Sequence, residues 1–549
     1  MEYPNPGPAP GNWGGAYPNP YPYRNPYAVP FDRVYPLKPR IPLQKRDMVF
    51  FALFAAATFL FMDFAVFGGF SLGFSIAYAV LFVMTTLYLS NRETAKSGFG
   101  IFCGILSLAA CAVPALTRDG PVNTLILFLT AFLYSLYVGG LCGSLDGGDA
   151  LAKVATWWKG TVVAPFRHVA EPFRSLGGEF RKSPRAGQAL LGFLLALPVL
   201  FLVVPLLMQA DAAYESMMTN ILNHLSGLFF RLVLTALTAP LLVSLLFSYR
   251  KRLEPPCVES HRERLQVAGT PLFAALLSCV SLFYLSYLFS QLAYFFSAFS
   301  GMLPEGQGFT SSAYARRGFF ELTAITAVNM LLLLLVLLLA KRGQTGQISP
   351  AVKALSLFIG GFTLLLAATA FSKMVLYIRL YGMTRLRVLT SVFMIGLSIL
   401  VIAVLFRLFI GGFPLLRVMV TVSACLILAV GFADVDRFVA GYNVRAYHDG
   451  RLEEIDVEHL GSLSVSAVPA VAELLDDADP EVAKSARKVL EHRFNRMSSP
   501  EFYVRDGAVV DERGFSLRRF NLARERAYDC LREHYARFCN AAENGDTGR

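Results

Sequence analysis

Charge is scarce in this sequence. Only 16% of its 549 residues are Asp, Glu, Lys or Arg, whereas soluble domains run near a quarter. Most of the chain therefore cannot be a water-solvated globule. Disulfide chemistry is equally thin. Of eight cysteines none forms a CxxC pair, and Cys103, Cys111, Cys142, Cys279 and Cys425 lie within apolar runs. That pattern argues against a disulfide framework or a zinc site and for small apolar side chains. Cys530 and Cys539 are nine residues apart, on opposite faces of one helix, so no bridge within that helix is expected. The seven histidines are scattered, with no HExxH string and no pair at ligand spacing. Neither a metal nor a cofactor is expected. The string GFSLG at 69–73 matches GxSxG, but that motif needs a strand-to-helix elbow and here it joins two apolar runs. Gly69 and Gly73 are read as helix-packing residues instead. No catalytic residue is assigned, and nucleic acid is not an expected partner.

Apolar residues, by contrast, make up 55% of the chain. Crossing a hydrocarbon core takes about 20 of them in a helix. Eleven windows meet that length, near 48–67, 70–89, 99–116, 122–142, 189–208, 227–248, 270–299, 319–340, 350–372, 388–410 and 413–431. Runs such as MLLLLLVLLLA do not alternate with period two, which excludes a membrane barrel. The expected fold is all-α: a polytopic transmembrane bundle over 48–431, followed by a small helical soluble domain over 432–549.

Residues 1–42 hold twelve prolines and six tyrosines and cannot bury a core. The stretch 1–47 reads as a disordered, polyproline-like tail. It is either a docking arm for a protein partner with an aromatic groove or a solvated tail with none. Because its basic residues precede the first apolar run, no cleavable signal peptide is expected. With the N-terminus in the cytoplasm, inner stretches up to residue 353 carry 23 basic residues and outer loops 3, which fixes that orientation by the positive-inside rule. Eleven spans then leave residues 432–549 outside.

Between the fourth and fifth windows, within 150–188, three seven-residue units repeat Phe166-Arg167, Phe173-Arg174 and Phe180-Arg181. Residues seven apart share a helical face. The segment is expected to lie on the bilayer, phenylalanines in the acyl boundary and arginines among anionic lipid headgroups. In the C-terminal region, the run from Val468 to Phe494, broken by acids and Pro480, suggests a helical hairpin like one repeat unit.

Asp63 is the sharpest intramembrane acid, at the outer end of the first window. It reads as a proton carrier, as the acid of a lipid-linked transferase, or as a hydrated interfacial group. Arg231 has the same ambiguity at the outer end of the sixth. The densest polar signal is the pair SSAYARRGFFEL and SKMVLYIRLYGMTRLR, which carry Arg316, Arg317, Arg379, Arg385 and Arg387 with Tyr381 at outer span ends. Arginine forks suit phosphate or carboxylate. These residues are the candidate anion site, facing either an external anion or the chain's own acids at Asp434, Asp436, Glu453, Glu454 and Asp456.

The strings SAYARRGFFEL, YIRLYGMTRLR, YNVRAYHDGRLEEIDVEHL with SAVPAVAELL, and FNLARERA resemble the recurring motifs of a bacterial multi-pass membrane family, domain of unknown function 4173, over roughly 180–535. The resemblance implies a bacterial multi-pass protein of the cell membrane and brings no activity, cofactor or site residues. Two functional readings stand. One is a non-enzymatic cell-envelope protein, transporter-like or a signalling scaffold, that recognises an anionic ligand. The other is a membrane transferase for lipid-linked substrates using Asp63, Asp211 or Glu321.

Overall fold

The computed structural model describes residues 45–90, 97–144, 150–170, 184–224, 227–253, 266, 269–300, 319–343, 347–505 and 508–543. The proline-rich tail, Arg316, Arg317, Phe173, Arg174, Phe180 and Arg181 lie outside them.

The apolar windows are helices. They are α1 (Lys45–Met62), α2 (Leu72–Leu89), α3 (Gly98–Leu116) and α4 (Gly120–Leu141), then, after the short α5 (Ala150–Trp158) and α6 (Ala164–Arg167), α7 (Pro184–Ala210). The short α8 (Ala212–His224) leads to α9 (Gly227–Arg250), α10 (Thr270–Ser300), α11 (Phe319–Leu339), α12 (Pro350–Tyr381), α13 (Arg385–Phe409) and α14 (Leu415–Phe432). Among the described residues nine helices are long and apolar enough to cross a membrane, and two shorter apolar ones, Val49–Ala65 and Pro198–Ala210, stand at the first and fifth windows. Charge marks both ends of the first, with Lys45, Arg46 and Asp47 before it and Asp63, which opens a π turn at Asp63–Phe67, near its close. The chain is a multi-pass helical membrane protein.

Helix contacts follow side-chain size. Gly100 on α3 faces Gly140 on α4 so closely that a Cβ on either would lie 2.5 Å from the other's Cα. This is small-residue packing, which lets two backbones touch where lipid offers no hydrophobic drive. Polar groups inside the bundle pair across helices: Tyr78 with Ser107, Thr85 with Tyr134 at 2.6 Å, and Tyr284 through Asn329 to Thr363 at 2.6 and 2.9 Å. Each bond removes an unsatisfied group from hydrocarbon.

The basic segment before α7 is more embedded than its heptads predict. Residues Ala152, Thr156, Gly160, Ala164 and Pro165 are buried. A Cβ at Gly160 would meet the Tyr249 hydroxyl of α9 at 2.5 Å, and Trp157 Nε1 donates to Ser135 Oγ of α4 at 2.8 Å. Small residues on one face let this segment seat on the bundle, while Phe166 stays exposed on the other.

After α14 come α15 (Val435–His448), α16 (Val457–Ser462), α17 (Val468–Ala472), α18 (Pro480–Met497), the antiparallel strands β1 (Phe502–Arg505) and β2 (Ala508–Asp511), and α19 (Leu522–Glu543). The expected helical hairpin is present: Asp479 caps α18, accepting from Glu481 N at 2.9 Å, with Pro480 in the first turn. The elements from Val435 onward form a cap that shares its core with the bundle. One apolar cluster runs from Cys103, Val113, Ile126 and Leu428 through Val439 and Leu460 to Leu490, Phe502 and Leu531, within the single compact unit Gln44–Arg549.

Candidate functional site at the capped end of the bundle

Helix ends leave backbone groups unsatisfied, and the cap supplies partners for several. The first N–H groups of α2 donate to cap carbonyls, Leu72 N to Phe520 O at 3.0 Å and Gly73 N to Leu517 O at 2.8 Å. At the end of α3, the buried Asn521 donates to the carbonyls of Pro114 and Thr117, both at 2.9 Å. Its Oδ1 meanwhile accepts from Arg524 N at 3.1 Å, capping α19. The GFSLG string thus lies under the cap. A Cβ at Gly73 would collide with Phe64 and with Leu517 O, which is close packing and not nucleophile geometry.

The turn joining α12 to α13 is shaped by Gly382, whose φ of +71° suits glycine and whose missing side chain makes room for Asn443 of α15. The Asn443 amide pairs with both backbone groups of Met383, at 2.6 and 2.8 Å. That fixes Arg385 at the head of α13. Its fork grips Asp436 with two bonds, Nε to Oδ1 at 2.8 Å and Nη2 to Oδ2 at 2.6 Å. Asp436 is fully buried and also accepts from Ser464 N at 2.7 Å. Asp119, buried at the head of α4, approaches Arg385 Nε at 3.2 Å. Because Nε already serves Asp436, this approach is electrostatic, and Asp119 Oδ2 has no hydrogen bond of its own. Burial, helped by the Asp436 charge, holds the Asp119 carboxyl above its usual range, against the pull of Arg385.

A second clamp closes over α1. Asp63 Oδ1 lies 2.8 Å from Arg231 Nε of α9 and 2.7 Å from Arg518 Nη2 of the cap. At the opposite end of the same helix pair, buried Asp47 faces Arg250 and Lys251 at 3.9 and 3.8 Å and accepts from the Tyr88 hydroxyl at 3.3 Å.

Within the cap a cleft of about 480 Å³ opens between α17 with the turn after it and α19, with Asp434 and Ser466 among its lining residues. Among the described residues no group of three His, Cys, Asp or Glu side chains is arranged to hold a metal.

A family model, described as domain of unknown function (DUF4153), matches residues 79–474. The chain belongs to this family. The family is uncharacterised, as the motifs implied, although its number differs from the 4173 that they resembled. Neither curated proteins nor solved structures give a match.

The structure distributes the sequence candidates. Arg385, Arg387 and Tyr381 share one turn. Arg385 points to the chain's own Asp436, whereas Arg387 bonds the carbonyls of Tyr381 and Gly382 and stacks 4.1 Å over Tyr377. Arg379 and Tyr381 are exposed. Asp63 and Arg231, each ambiguous alone, pair with each other. Glu453, Glu454 and Asp456 are exposed and take no part in the Arg385 clamp. Sequence reasoning missed Asp119, Arg518 and Asn521, whose partners lie far away in the chain.

Proposed function

We propose that this DUF4153 member is a non-enzymatic cell-envelope protein of the bacterial plasma membrane, a signalling scaffold whose outward-facing cap is coupled to the helix bundle by arginine–carboxylate clamps. The Arg385 fork on Asp436 carries this reading. It ties the first residue of a membrane helix to the buried core of the cap, so a change in one reaches the other. Positive-inside counting supports a cytoplasmic N-terminus and an external cap. The anionic ligand expected at this end would meet exposed Arg379 and Tyr381, because Arg385 is already matched by carboxylates of the chain. Phe166 and Arg167 suit the opposite leaflet's anionic headgroups, and the proline-rich tail suits a partner with an aromatic groove.

The transferase alternative needs a carboxyl free to move protons. Asp63 is instead held between two guanidiniums, 2.8 Å from Arg231 and 2.7 Å from Arg518. The test is Asp63→Asn and Arg379→Ala in a deletion strain, with protein level monitored. A scaffold predicts that any defect of Asp63→Asn tracks loss of protein, and that inorganic phosphate or phosphatidylglycerol raises the melting temperature of wild type more than that of Arg379→Ala. A null Asp63→Asn phenotype at normal protein level would support the transferase. Orientation is read separately. An impermeant thiol reagent on intact cells should label Gly120→Cys and spare Pro20→Cys.

A further inference from the structure

The loop between β2 and α19 turns two apolar side chains of the cap outward: Phe515 is 73% exposed and Leu517 41%. Its backbone bonds fix the level at which it stands. Leu517 O and Phe520 O accept from the first two N–H groups of α2. Asn521, at the end of the loop, reaches the carbonyls of Pro114 and Thr117 at the close of α3. These helices have 18 and 19 residues. At 1.5 Å per residue they are about 27 and 28 Å long, no more than a hydrocarbon core of roughly 30 Å requires. Neither has a turn to spare, so their terminal residues lie at the edge of the hydrocarbon, and a loop bonded to those residues lies there too.

The loop is also suited to meet acyl chains. Its charges are matched within the chain: Arg513 by Asp511 and Glu525, Arg518 by Asp63, and Arg519 by Glu501. An unpaired backbone group near hydrocarbon is costly, and here several are paired. Arg519 N and Phe520 N both donate to Ser516 O, at 3.0 and 2.8 Å, while α2 takes the carbonyls of Leu517 and Phe520. The surface beside the loop belongs to membrane helices. Phe67 at the end of α1 and Phe230 near the start of α9 are exposed, with their rings 6.5 Å apart. Arg231, which lies 4.9 Å over the Phe67 ring, shares Asp63 with Arg518 of the loop.

From two exposed apolar side chains on a charge-matched loop bonded to the ends of two membrane helices of minimal length, we infer that the cap is anchored in the bilayer through Phe515 and Leu517, which enter the acyl boundary of the leaflet at the capped end. The partner is lipid and not a second protein, because the helices that set the level of the loop are themselves membrane-spanning. The contact is apolar. With the arginines of the loop already matched, it needs no anionic headgroup. It holds whichever side of the membrane the cap faces and is separate from Arg379, so it stands or falls independently of the proposed function.

The test uses the full chain reconstituted in vesicles of phosphatidylcholine, a lipid without net charge. Phe515→Trp is the reporter and Leu517→Trp the second, each read as the difference from wild type, whose own tryptophans are Trp13, Trp157 and Trp158. Both positions are exposed, so both variants should melt as wild type does. The added emission should be shifted to the blue and should lose most of its intensity when the lipid is brominated near the headgroup end of its acyl chains. Bromine near the chain ends should quench it less, as fits side chains buried about 5 to 10 Å into the headgroup and acyl boundary. Iodide present on both sides of the membrane should have little effect. Quenching by iodide with none by brominated lipid would place the loop in water. A blue shift with protection from both quenchers would place it against protein, a second copy of the chain included. Either result in a normally melting variant would overturn the proposal.

Discussion

The two ends of α1 solve the same problem differently. At its start, Asp47 stands 3.9 Å from Arg250 at the end of α9 and 3.8 Å from Lys251 just after it. At its finish, Asp63 is gripped at 2.7 and 2.8 Å by Arg518 of the cap and Arg231 of α9. The uncapped end is closed by residues of the bundle itself. The capped end is completed by chain from beyond residue 434, which supplies guanidinium, carboxylate, amide and carbonyl groups to the ends of α1, α2, α3 and α13. The contrast teaches that the bundle is not self-sufficient at this end: its helix termini acquire partners when the cap docks. The continuous apolar core makes that docking part of folding and not a later association.

The largest expected effect follows from removing the fork. Arg385→Ala strands two buried carboxylates, Asp436 and Asp119, and should cost about 3 to 5 kcal/mol. Melting in mild detergent reads this directly, with Arg385→Lys falling between because an ammonium cannot form the fork. A melting temperature equal to wild type would break the comparison. Next in size, Asn521→Ala should lose about 1 to 2 kcal/mol, since it removes a helix cap and the donor to two α3 carbonyls. Its hydrogen-exchange signature should be faster exchange at the start of α19. Asp63→Asn and Asp47→Asn then sharpen the contrast. The first should raise exchange in the cap segment 515–521, and the second should leave the cap unchanged whatever it does to overall stability. Equal effects on the cap would show that the ends are not distinct.

The smallest effect is in pH. Burial raises the folded-state pKa of Asp119 and Asp434, so their ionisation opposes folding. Their contribution improves as pH falls through the raised folded values toward the unfolded value of about 3.9. Asp511 is the reverse. The hydrogen bond from Arg513 lowers its pKa, so it stabilises above about pH 3.9 and that stability is lost as pH falls through its folded value. Melting curves from pH 7 to 3 should therefore rise slightly before falling. The early rise should shrink in Asp434→Asn, and the late fall should shrink in Asp511→Asn.

Much of the fold was legible. Length and apolar runs located the helices, and Pro480 marked the break before α18, because these signals are local. The β1–β2 hairpin was legible but unread. Asp506-Gly507, between Tyr503-Val504-Arg505 and Ala508-Val509-Val510, is a two-residue hairpin sequence. The clamps were only half visible. Arginines on the wrong side of the positive-inside count announced that carboxylates were needed, and the acidic stretch holding Asp436 was among the candidates. Asp63 and Arg518 are 455 residues apart, and Asn521 and Thr117 are 404. No periodicity or spacing rule spans such distances, so those partners come only from how the helices pack.

The claim that one fork couples bundle to cap is tested most directly by a double-mutant cycle on Arg385→Ala and Asp436→Ala, with unfolding followed in the same detergent. Contacting partners in a buried network couple by about 0.5 to 3 kcal/mol, and a bidentate pair with a fully buried carboxylate should sit near the top of that range, about 2 kcal/mol or more. Simple additivity of the two changes, within about 0.5 kcal/mol, would contradict the account and leave Arg385 as an interfacial arginine with no hold on the cap.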